Sequence, residues 1–418
     1  MMSDPGARRM SQLRRPSHTD PMWIAVFALG ISQITAWGTS YYCLGILASP
    51  IAADTGWRRS LVFSGFTVGL LVMGLVSTRV GRVIDTYGAR YVMSLGTVVS
   101  SCGLYSLSLV QSEWSYLAVW ALIGLGMRLS LYDAAFAALV QVTPSRGRRA
   151  ISYLTLFGAF ASSLFWVIGH FLNDALGWRD TLAVFALINL VVCLPLHWFG
   201  LARREQIALD SSPAESARSS LEGPPLKGRL RSVAIGLFMF IMSLNAFVFG
   251  VVTVQLVPML EAAGLAAGAA VWVASMKGVA QFAGRLIELT FGANLRALTV
   301  ARIAIGILPL ALLLLLSSGH FNAIVAFTLL LGVSQGVVTI VRGAVPLALF
   351  GATGYGAVLG VIATPILVVN AVAPTAFAWI VERWGWFHAE VLLMVSALAS
   401  FVAVEAMARW VERTRSRR

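Results

Sequence analysis

The sequence predicts an all-α polytopic membrane protein with about twelve transmembrane helices in two pseudo-symmetric six-helix bundles. Of its 418 residues, 58% are hydrophobic and 12% are charged, whereas soluble domains carry about 25% charged residues. Apolar stretches of about 20 residues, the length that crosses a bilayer, recur along nearly the whole chain. A charged, glycine-containing turn also occurs once in each half, which indicates an internal duplication.

The basic residues indicate which helix ends share a side of the membrane. They are concentrated in the arm at Arg8, Arg9, Arg14 and Arg15, in the segments 146–149 and 203–231, and in the tail after Arg409. With an even number of spans, all of these places lie on one side. The positive-inside rule makes that side, with both termini, cytoplasmic, and we expect a bacterial inner-membrane protein. The net charge of +13 then reflects topology, and we expect no nucleic-acid partner.

The apolar stretches divide the chain into five parts. These are a cytoplasmic N-terminal arm at 1–21, a six-helix bundle at 22–200, a cytoplasmic linker at 201–230, a second six-helix bundle at 231–408 and a basic cytoplasmic tail at 409–418. The predicted spans are 22–47, 60–80, 91–110, 115–140, 149–172 and 180–200, then 232–258, 267–288, 297–317, 321–347, 355–378 and 387–408. The linker is polar and rich in proline and serine, which is typical of a partly disordered connection.

The sequence offers no candidate catalytic machinery. Cys43, Cys102 and Cys193 are isolated in apolar stretches, so we expect neither a disulfide framework nor a metal site. A nucleotide-binding glycine loop followed by lysine and a hydroxyl residue does not occur, and no nucleophile–base arrangement stands out. We therefore expect no enzyme activity and no cofactor.

The turn between the second and third spans has a defined pattern. Its fixed positions are Gly81, Arg82, Asp85, Gly88 and Arg90. The glycines permit close helix approach and a tight reversal. The aspartate is placed to face the N-terminus of a neighbouring helix or an arginine. Either this turn acts as a gate at the membrane surface, or its charges only set the topology.

A looser copy of this turn occurs in the second half. Residues 284–292 begin with a glycine, carry Glu288 four residues later at the place of the aspartate, and end with a second glycine at 292. The glycines at 124–126 and 332–336, and the Gly-Trp pairs at 177–178 and 385–386, keep the same order and nearly the same offset. Their common order indicates a parallel duplication of one six-helix unit.

The six-plus-six spans, the polar linker and the repeated turn resemble the major facilitator superfamily. Its signature between spans two and three is glycine, three residues, aspartate, two residues, glycine and then a basic position, which Gly81, Asp85, Gly88 and Arg90 fill. The resemblance covers essentially the whole chain. It implies a transporter whose two bundles rock about a central cavity lined by spans one, four, seven and ten, and it says little about the substrate.

A narrower resemblance is to the monocarboxylate-transporter branch and its bacterial relatives. Residues 20–23 (Asp-Pro-Met-Trp) open the first span, and residues 56–60 (Gly-Trp-Arg-Arg-Ser) precede the second. In span eight those transporters carry an arginine that binds the substrate carboxylate and, four residues earlier, an aspartate for proton coupling. Here Arg285 takes the arginine position but Gln281 takes that of the aspartate, so the branch's route of proton coupling is not retained.

Span eight carries the clearest candidate substrate residues. Lys277, Gln281 and Arg285 are four residues apart each time, which places them along one helix face. Ionisable residues inside a span tend to face a cavity, and a cationic stripe there suits an anion such as a carboxylate. The alternative for Arg285 is an ion pair with Glu288 one turn away, at the cytoplasmic end.

Further intramembrane charges lie in spans four and ten. Arg128 and Asp133 are five residues apart on one predicted helix, on adjacent parts of its surface. Arg128 either joins Lys277 at the cavity or pairs with a neighbouring helix. Asp133 is a candidate proton carrier or a fixed partner, and an Asp133–Arg342 bridge between the halves is a candidate gate.

Two polar residues are predicted to orient the substrate. Tyr41 in span one and Asn245 in span seven lie on cavity-lining spans of the superfamily. The alternative is that they only make hydrogen bonds between helices.

We therefore predict a secondary transporter that moves a small organic anion, in particular a monocarboxylate, by alternating access. Its expected partners are this substrate, membrane lipids and a coupling proton, and we expect it to act as a monomer. The alternatives are an efflux transporter for drugs or other toxic compounds and, in a different class, a non-transporting sensor on the same scaffold.

Overall fold

A computed structural model describes residues 20–203, 222–316 and 320–416. The predicted arm before residue 20, including its four arginines, lies outside the described residues, as do 204–221 of the predicted linker and the last two residues of the tail. The described residues are almost entirely helical. The boundaries of the predicted arm, bundles and linker remain predictions.

Within the described residues, twelve long helices follow in chain order. In the first half they are α1 (Pro21–Thr55), α2 (Arg59–Tyr87), α3 (Ala89–Ser108), α4 (Glu113–Val142), α5 (147–176) and α6 (178–200). In the second half they are α7 (Gly228–Ala262), α8 (Ala267–Phe291), α9 (Ala297–Leu316), α10 (Phe321–Phe350), α11 (Tyr355–Trp384) and α12 (Trp386–Ser416).

The lengths and composition of these helices confirm the predicted fold class. In the described part of the chain, nine helical segments are long and apolar enough to cross a membrane. One of them is the 54-residue segment Gly147–Gly200, which would extend about 80 Å if it were straight. Gly177 divides it into α5 and α6, because its φ of 79° is not helical. The helices α3 and α8 are long enough but more polar.

The two halves repeat this geometry. Gly385 stands between α11 and α12 with a φ of 82° and a ψ of 169°, and Gly177 between α5 and α6 has 79° and 169°. Both conformations are accessible to glycine and costly for other residues. The predicted Gly-Trp echo is therefore a repeated backbone reversal.

Several helices are irregular at positions that matter below. In α1, Trp37–Tyr41 form a π-helical turn, and in α6, Asn189–Cys193 form another. The two turns are joined, since the Asn189 amide donates to the Thr39 hydroxyl at 2.5 Å. Such turns occur frequently at functional sites. The helix α4 breaks at Leu131, whose ψ is −166°, so Arg128 and Asp133 do not share one continuous helix surface, contrary to the sequence prediction.

The two bundles meet most closely along α2 and α11. A Cβ atom on Gly81 would overlap the carbonyl oxygen of Gly356, and one on Gly360 would overlap the backbone of Ser77. Glycine is required here because the backbones touch. On the other flank, the first part of α5 contacts α8 and α10.

We call the membrane side that holds Asp20, Gly88, Arg146, Gly292 and residues 409–416 the basic side. Among the described residues, the hydrogen bonds and ion pairs that join the two bundles lie between the membrane centre and this side. The structure is therefore closed at the basic side.

Candidate functional site: central cations and aromatic rings

Four aromatic rings of the first bundle meet at the centre of the membrane. Trp37 lies 4.7 Å from Tyr41 and 5.1 Å from Tyr132, measured between ring centroids. Tyr42 completes the group at 6.0 Å from Trp37. All four side chains are half-buried, so each keeps an accessible surface. The π-helical turn of α1 brings its three rings together, and the break in α4 places Tyr132 beside them.

The indole of Trp37 is held in one orientation. Its Nε1 donates to Gln33 Oε1 at 3.1 Å, and Gln33 Nε2 donates in turn to the carbonyl of Ser130 at 2.8 Å. Because Gln33 is fully buried, this chain fixes the ring against α4. A rigid aromatic surface binds a flat ligand with little loss of conformational entropy.

An ion pair connects the bundles beside these rings. Arg342 of α10 donates to Asp133 of α4 at 2.7 Å, which is the bridge considered from the sequence. The aspartate side chain is 3% exposed and the arginine side chain 23%. Asp133 Oδ1 and Arg342 Nε are buried without a hydrogen-bond partner among the described residues. The pair is therefore incomplete, and the arginine remains accessible.

Arg128 is not at the cavity surface. It is 1% exposed and donates from Nε to the Ser77 hydroxyl at 2.5 Å and from Nη2 to the Ser77 carbonyl at 3.3 Å. Of the two sequence alternatives, the geometry matches the contact with a neighbouring helix. Its guanidinium is enclosed between α2 and α4 in this closed state, and the role of Arg128 in substrate binding stays a prediction.

Lys277 is a cation inside α8 that makes no ion pair with a described residue. It lies eleven residues into the 25-residue helix α8 and is half-buried. No carboxylate and no hydrogen-bond acceptor contacts it among the residues that the structure describes. A lysine at this depth without a counter-ion is costly unless it faces water or an anion.

Gln281, one turn further along α8, faces the second bundle. Its Nε2 donates to Gln335 Oε1 of α10 at 2.6 Å, and both side chains are half-buried. The backbones of α8 and α10 touch at this level, since a Cβ on Gly336 would overlap the Gln281 carbonyl. Lys277 and Gln281 are therefore both half-buried on one face of α8, as the predicted stripe requires, and Gln281 contacts α10.

Arg285 differs from the predicted stripe in its burial. It is 6% exposed, and its Nη1 donates to the carbonyl of Thr155 in α5 at 2.6 Å. The Tyr132 hydroxyl lies beside its guanidinium. Arg285 thus joins the two bundles on the basic side of the aromatic rings. The alternative pairing of Arg285 with Glu288 is wrong, because Glu288 turns instead toward α5.

Asn245 is placed away from the central rings. Its side chain is 1% exposed and donates to Ser400 Oγ of α12 and to the carbonyl of Ile241. The amide packs α7 against α12 in this structure, and the role of Asn245 in orienting the substrate stays a prediction. Tyr41, in contrast, does reach the interface, where its hydroxyl lies beside the Asn370 side chain of α11.

The turn at residues 81–90 contacts the start of α11. Asp85 accepts from the backbone N–H groups of Gly356 and Ala357, at 2.9 and 2.7 Å. These N–H groups belong to the first turn of the helix, where a carboxylate is favoured by the helix dipole. Arg82 is exposed, and Arg90 lies over the ring of Trp198 at 4.6 Å.

The second turn makes the corresponding contact with the start of α5. Glu288 accepts from Ser152 Oγ at 2.8 Å and from Arg148 Nη2 at 3.3 Å. Arg148 also donates to the carbonyls of Gly292 and Leu295. Both turns therefore place a carboxylate on the first helical turns of the opposite bundle.

Some residues of these contacts were not found from the sequence. Arg148, Thr155, Gln335 and Asn370 each make a contact across a helix interface, but none was singled out. Arg148 lies in a basic segment that also sets topology, so its charge gave no separate signal. Asn370 and Gln335 are polar residues within spans, and that pattern was the available signal.

The geometry defines a helical membrane protein of two bundles, and a family model identifies it further. The model of the Major Facilitator Superfamily matches residues 23–317, which is well over half of the chain. The chain therefore belongs to the Major Facilitator Superfamily, and it is a transporter rather than an enzyme.

Two curated relatives are similar in sequence. The chain is 25% identical over 400 residues to the gentisate transporter of Corynebacterium glutamicum, a match that spans 93% of this chain and 86% of that protein. It is 22% identical over 188 residues to sodium-dependent phosphate transport protein 3 of Mus musculus. That second match spans 42% of this chain and only 39% of the mouse protein's length.

Solved structures show the same fold at low identity. The human organic anion transporter MFSD10 superposes with a TM-score of 0.70 at 15% identity, covering 92% of this chain and 99% of that chain. The transporter FucP in the outward conformation gives 0.69 at 15% identity, covering 93% and 99%. A bacterial homologue of ferroportin in an outward-facing state gives 0.73 at 12% identity, covering 92% and 99%.

Proposed function

We propose that this protein is a secondary transporter for a small organic anion that carries a carboxylate, bound in the central cavity between the bundles. The observation that carries the proposal is Lys277, a half-buried cation in the middle of α8 without a counter-ion among the described residues. A substrate carboxylate would supply that counter-ion. Arg342, partly accessible beside the aromatic rings, offers a second cation.

The aromatic surface favours a flat substituent on this anion. Trp37, Tyr41, Tyr42 and Tyr132 form one half-buried group, and offset or edge-to-face contact with an aromatic ring is favourable there. The similarity to a gentisate transporter over 93% of the chain supports the same class, since gentisate is an aromatic carboxylate. We therefore propose an aromatic member of the monocarboxylate class that the sequence predicts.

The orientation follows from the basic residues. If the basic side is cytoplasmic, as the positive-inside rule implies, the structure is closed toward the cytoplasm and the cavity would load from outside. Opening toward the cytoplasm requires the contacts between the bundles to separate, among them Asp85 with α11, Glu288 with Arg148, Arg285 with Thr155, and Asp133 with Arg342.

The central ion pair offers a route to couple binding and opening. A substrate carboxylate that binds Arg342 would compete with Asp133 for the same guanidinium, because both carboxylates accept hydrogen bonds from the same N–H groups. Protonation of the displaced Asp133 would then remove a buried charge. In this scheme Asp133 carries the coupling proton, and Arg285 and Glu288 act at the closed end.

The test is counterflow in proteoliposomes with labelled gentisate, benzoate and lactate. Lys277→Gln is expected to weaken uptake at low substrate concentration by about 10–100-fold, the range for losing a charge-assisted hydrogen bond. Lys227→Gln is the matched control, because Lys227 is the chain's other lysine and is exposed at the start of α7. Transport of the carboxylates by Lys277→Gln at the wild-type rate would refute the proposed anion site.

The efflux alternative gives a different result in the same vesicles. An exporter of cationic drugs would exchange a labelled cation and no carboxylate. Removing the charge of Lys277 would then strengthen or leave unchanged the binding of that cation, because a like charge disfavours it.

A further inference from the structure

A groove on the membrane-facing surface lies outside the transport site. It runs between α3 and α6, has a volume of about 530 Å³, and lies near the basic side. Its lining is apolar and aromatic: Tyr91, Leu95 and Val98 from α3, and Leu194, Pro195, Trp198 and Phe199 from α6, with Ser94 between them. The π-helical turn at Asn189–Cys193 and the proline that follows it in α6 make this part of the helix irregular.

A cation stands at the end of this groove. Arg90 is the second residue of α3, at the basic end of the helix, and its guanidinium lies 4.6 Å from the Trp198 ring and 5.5 Å from the Tyr91 ring. Both rings line the groove. No carboxylate pairs with Arg90 among the described residues. The stack holds a positive charge in place without neutralising it.

Two polar atoms at this end of the groove have no partner. Arg90 Nε and Ser94 Oγ are buried and make no hydrogen bond to a described residue. They are four residues apart and so lie on one face of α3. Buried polar groups are normally satisfied, so these two atoms retain unused hydrogen-bonding capacity beside the groove.

The apolar lining of the groove, the cation at its end and its position in the membrane favour one kind of ligand. Because α3 and α6 cross the bilayer, the molecules available to this surface are lipids. An arginine and two aromatic rings at the basic end of the helices correspond to the headgroup level, where tryptophan and tyrosine concentrate. Basic pockets between transmembrane helices on this side bind anionic headgroups. An acyl chain fits the apolar lining from Leu95 to Leu194.

We propose that the groove between α3 and α6 is a binding site for one anionic phospholipid, with its phosphate on Arg90, a polar glycerol-ester oxygen near Ser94 and one acyl chain along the groove. This site is separate from the central cavity, and it does not depend on the proposed substrate. Arg149 provides a matched comparison, because it also lies over an aromatic ring, Tyr153 at 5.6 Å, but no residue of that pair lines the groove.

The test is native mass spectrometry of the delipidated full chain with phosphatidylglycerol and phosphatidylcholine of identical acyl chains. Wild type and Arg149→Gln are expected to retain one phosphatidylglycerol with about fivefold preference over phosphatidylcholine, the effect of one arginine near an anionic headgroup. Arg90→Gln is expected to lose this preference. Arg90→Lys should restore most of it, because the positive charge remains.

Fluorescence quenching gives the location of the bound lipid. Phosphatidylglycerol brominated near the upper part of the acyl chain is expected to quench wild type more than Trp198→Phe, and the difference should shrink in Arg90→Gln. Three results would overturn the proposal. These are equal preference in wild type and Arg90→Gln, equal quenching of wild type and Trp198→Phe, and displacement of the lipid by glycerol phosphate, which has no acyl chain.

Discussion

The turn at residues 81–90 and its copy at residues 284–292 make the same connection by different means. Asp85 bonds two backbone N–H groups at the start of α11 and is itself exposed. Glu288 is buried, with its side chain 2% exposed, and bonds the side chains of Arg148 and Ser152 at the start of α5. One turn therefore uses the helix dipole and the other a buried ion pair.

The difference extends to the backbone of the two turns. Gly81 lies directly against Gly356 of the opposite bundle, whereas Gly284 lies against Val333 of its own bundle. Gly88 has a φ of 89°, whereas Gly292 has an ordinary helical φ of −72°. The duplicated unit has thus kept the carboxylate and its contact with the opposite bundle, whereas only the glycine of the first copy lies against the backbone of the opposite bundle.

The largest expected effect comes from filling the close backbone contact of the first turn. Gly81→Val puts side-chain atoms where the Gly356 carbonyl lies, and overpacking of this kind costs about 1–3 kcal/mol. Because the clash is with backbone atoms, we expect the upper end of this range, so that the closed state at the basic side loses population by about a hundredfold. Spin labels at Thr86→Cys and Thr290→Cys, on a cysteine-free background, would measure the separation of the two turns.

The matched control for this change is Gly236→Val in α7. A Cβ on Gly236 meets no atom within 4 Å, so the label distance should not change. A wild-type distance distribution in Gly81→Val would show that the close approach of α2 and α11 does not determine closure.

The second turn should respond to the loss of its buried charge. Glu288→Gln removes the partner of Arg148, and breaking a buried ion pair costs about 3–5 kcal/mol. Because Arg148 is 22% exposed and also pairs with Glu222, we expect about 2 kcal/mol, a roughly thirtyfold loss of the closed population by the same label distance. Glu382→Gln, an exposed residue of α11, is the control and should have no effect.

The first turn should be less sensitive to charge than the second. Asp85→Asn keeps one acceptor oxygen for the N–H groups of Gly356 and Ala357, so we expect about 1 kcal/mol. The closed population should fall about fivefold by the label distance. A larger opening of the basic side in Asp85→Asn than in Glu288→Gln would contradict this account. It would mean that the first turn, and not the second, depends on a buried charge.

The smallest effect is expected at a charge pair within one bundle. Asp20 accepts from Arg146 through both oxygens at 2.7 and 2.8 Å. That guanidinium holds the pKa of Asp20 below its ordinary value of 3.8. Asp20→Asn should lower the stability of the protein by about 1 kcal/mol without changing the label distance between the turns.

The pH dependence of this pair has a definite sign. Because the folded-state pKa is lowered, the stabilisation is complete above the unfolded-state pKa and is lost as the pH falls through the folded-state pKa. Thermal unfolding of wild type and Asp20→Asn should therefore differ by a constant amount from pH 5 to 8 and converge only in stronger acid. A difference that grows toward alkaline pH would exclude this pair as its source.

The sequence predicted the fold well because composition and hydrophobic length determine it. The repeated turn and the Gly-Trp pairs also indicated correctly where the backbone reverses, since few residues other than glycine adopt those conformations. The bridge between Asp133 and Arg342 followed from their nearly equivalent places in the repeat, and it is present in the structure.

The sequence did not predict which neighbouring helix each polar side chain contacts. Asn245 and Arg128 each had two candidate surroundings, and helix rotation within the bundle decides between them. The break at Leu131 and the π-helical turn at Trp37–Tyr41 change that rotation locally, and neither has a signal in hydrophobic periodicity. Glu288 was given a neighbour on its own helix, whereas its partners come from α5.

Calorimetry of benzoate and benzamide binding would test the central anion site most directly. The two ligands share the ring and differ in charge, so only benzoate provides a counter-ion for Lys277. We expect benzoate to bind wild type and Lys227→Gln alike, about 10–100-fold more weakly to Lys277→Gln, and benzamide to bind all three weakly. Equal affinity of wild type for benzamide and benzoate, or unchanged benzoate affinity in Lys277→Gln, would contradict a central site for an organic anion.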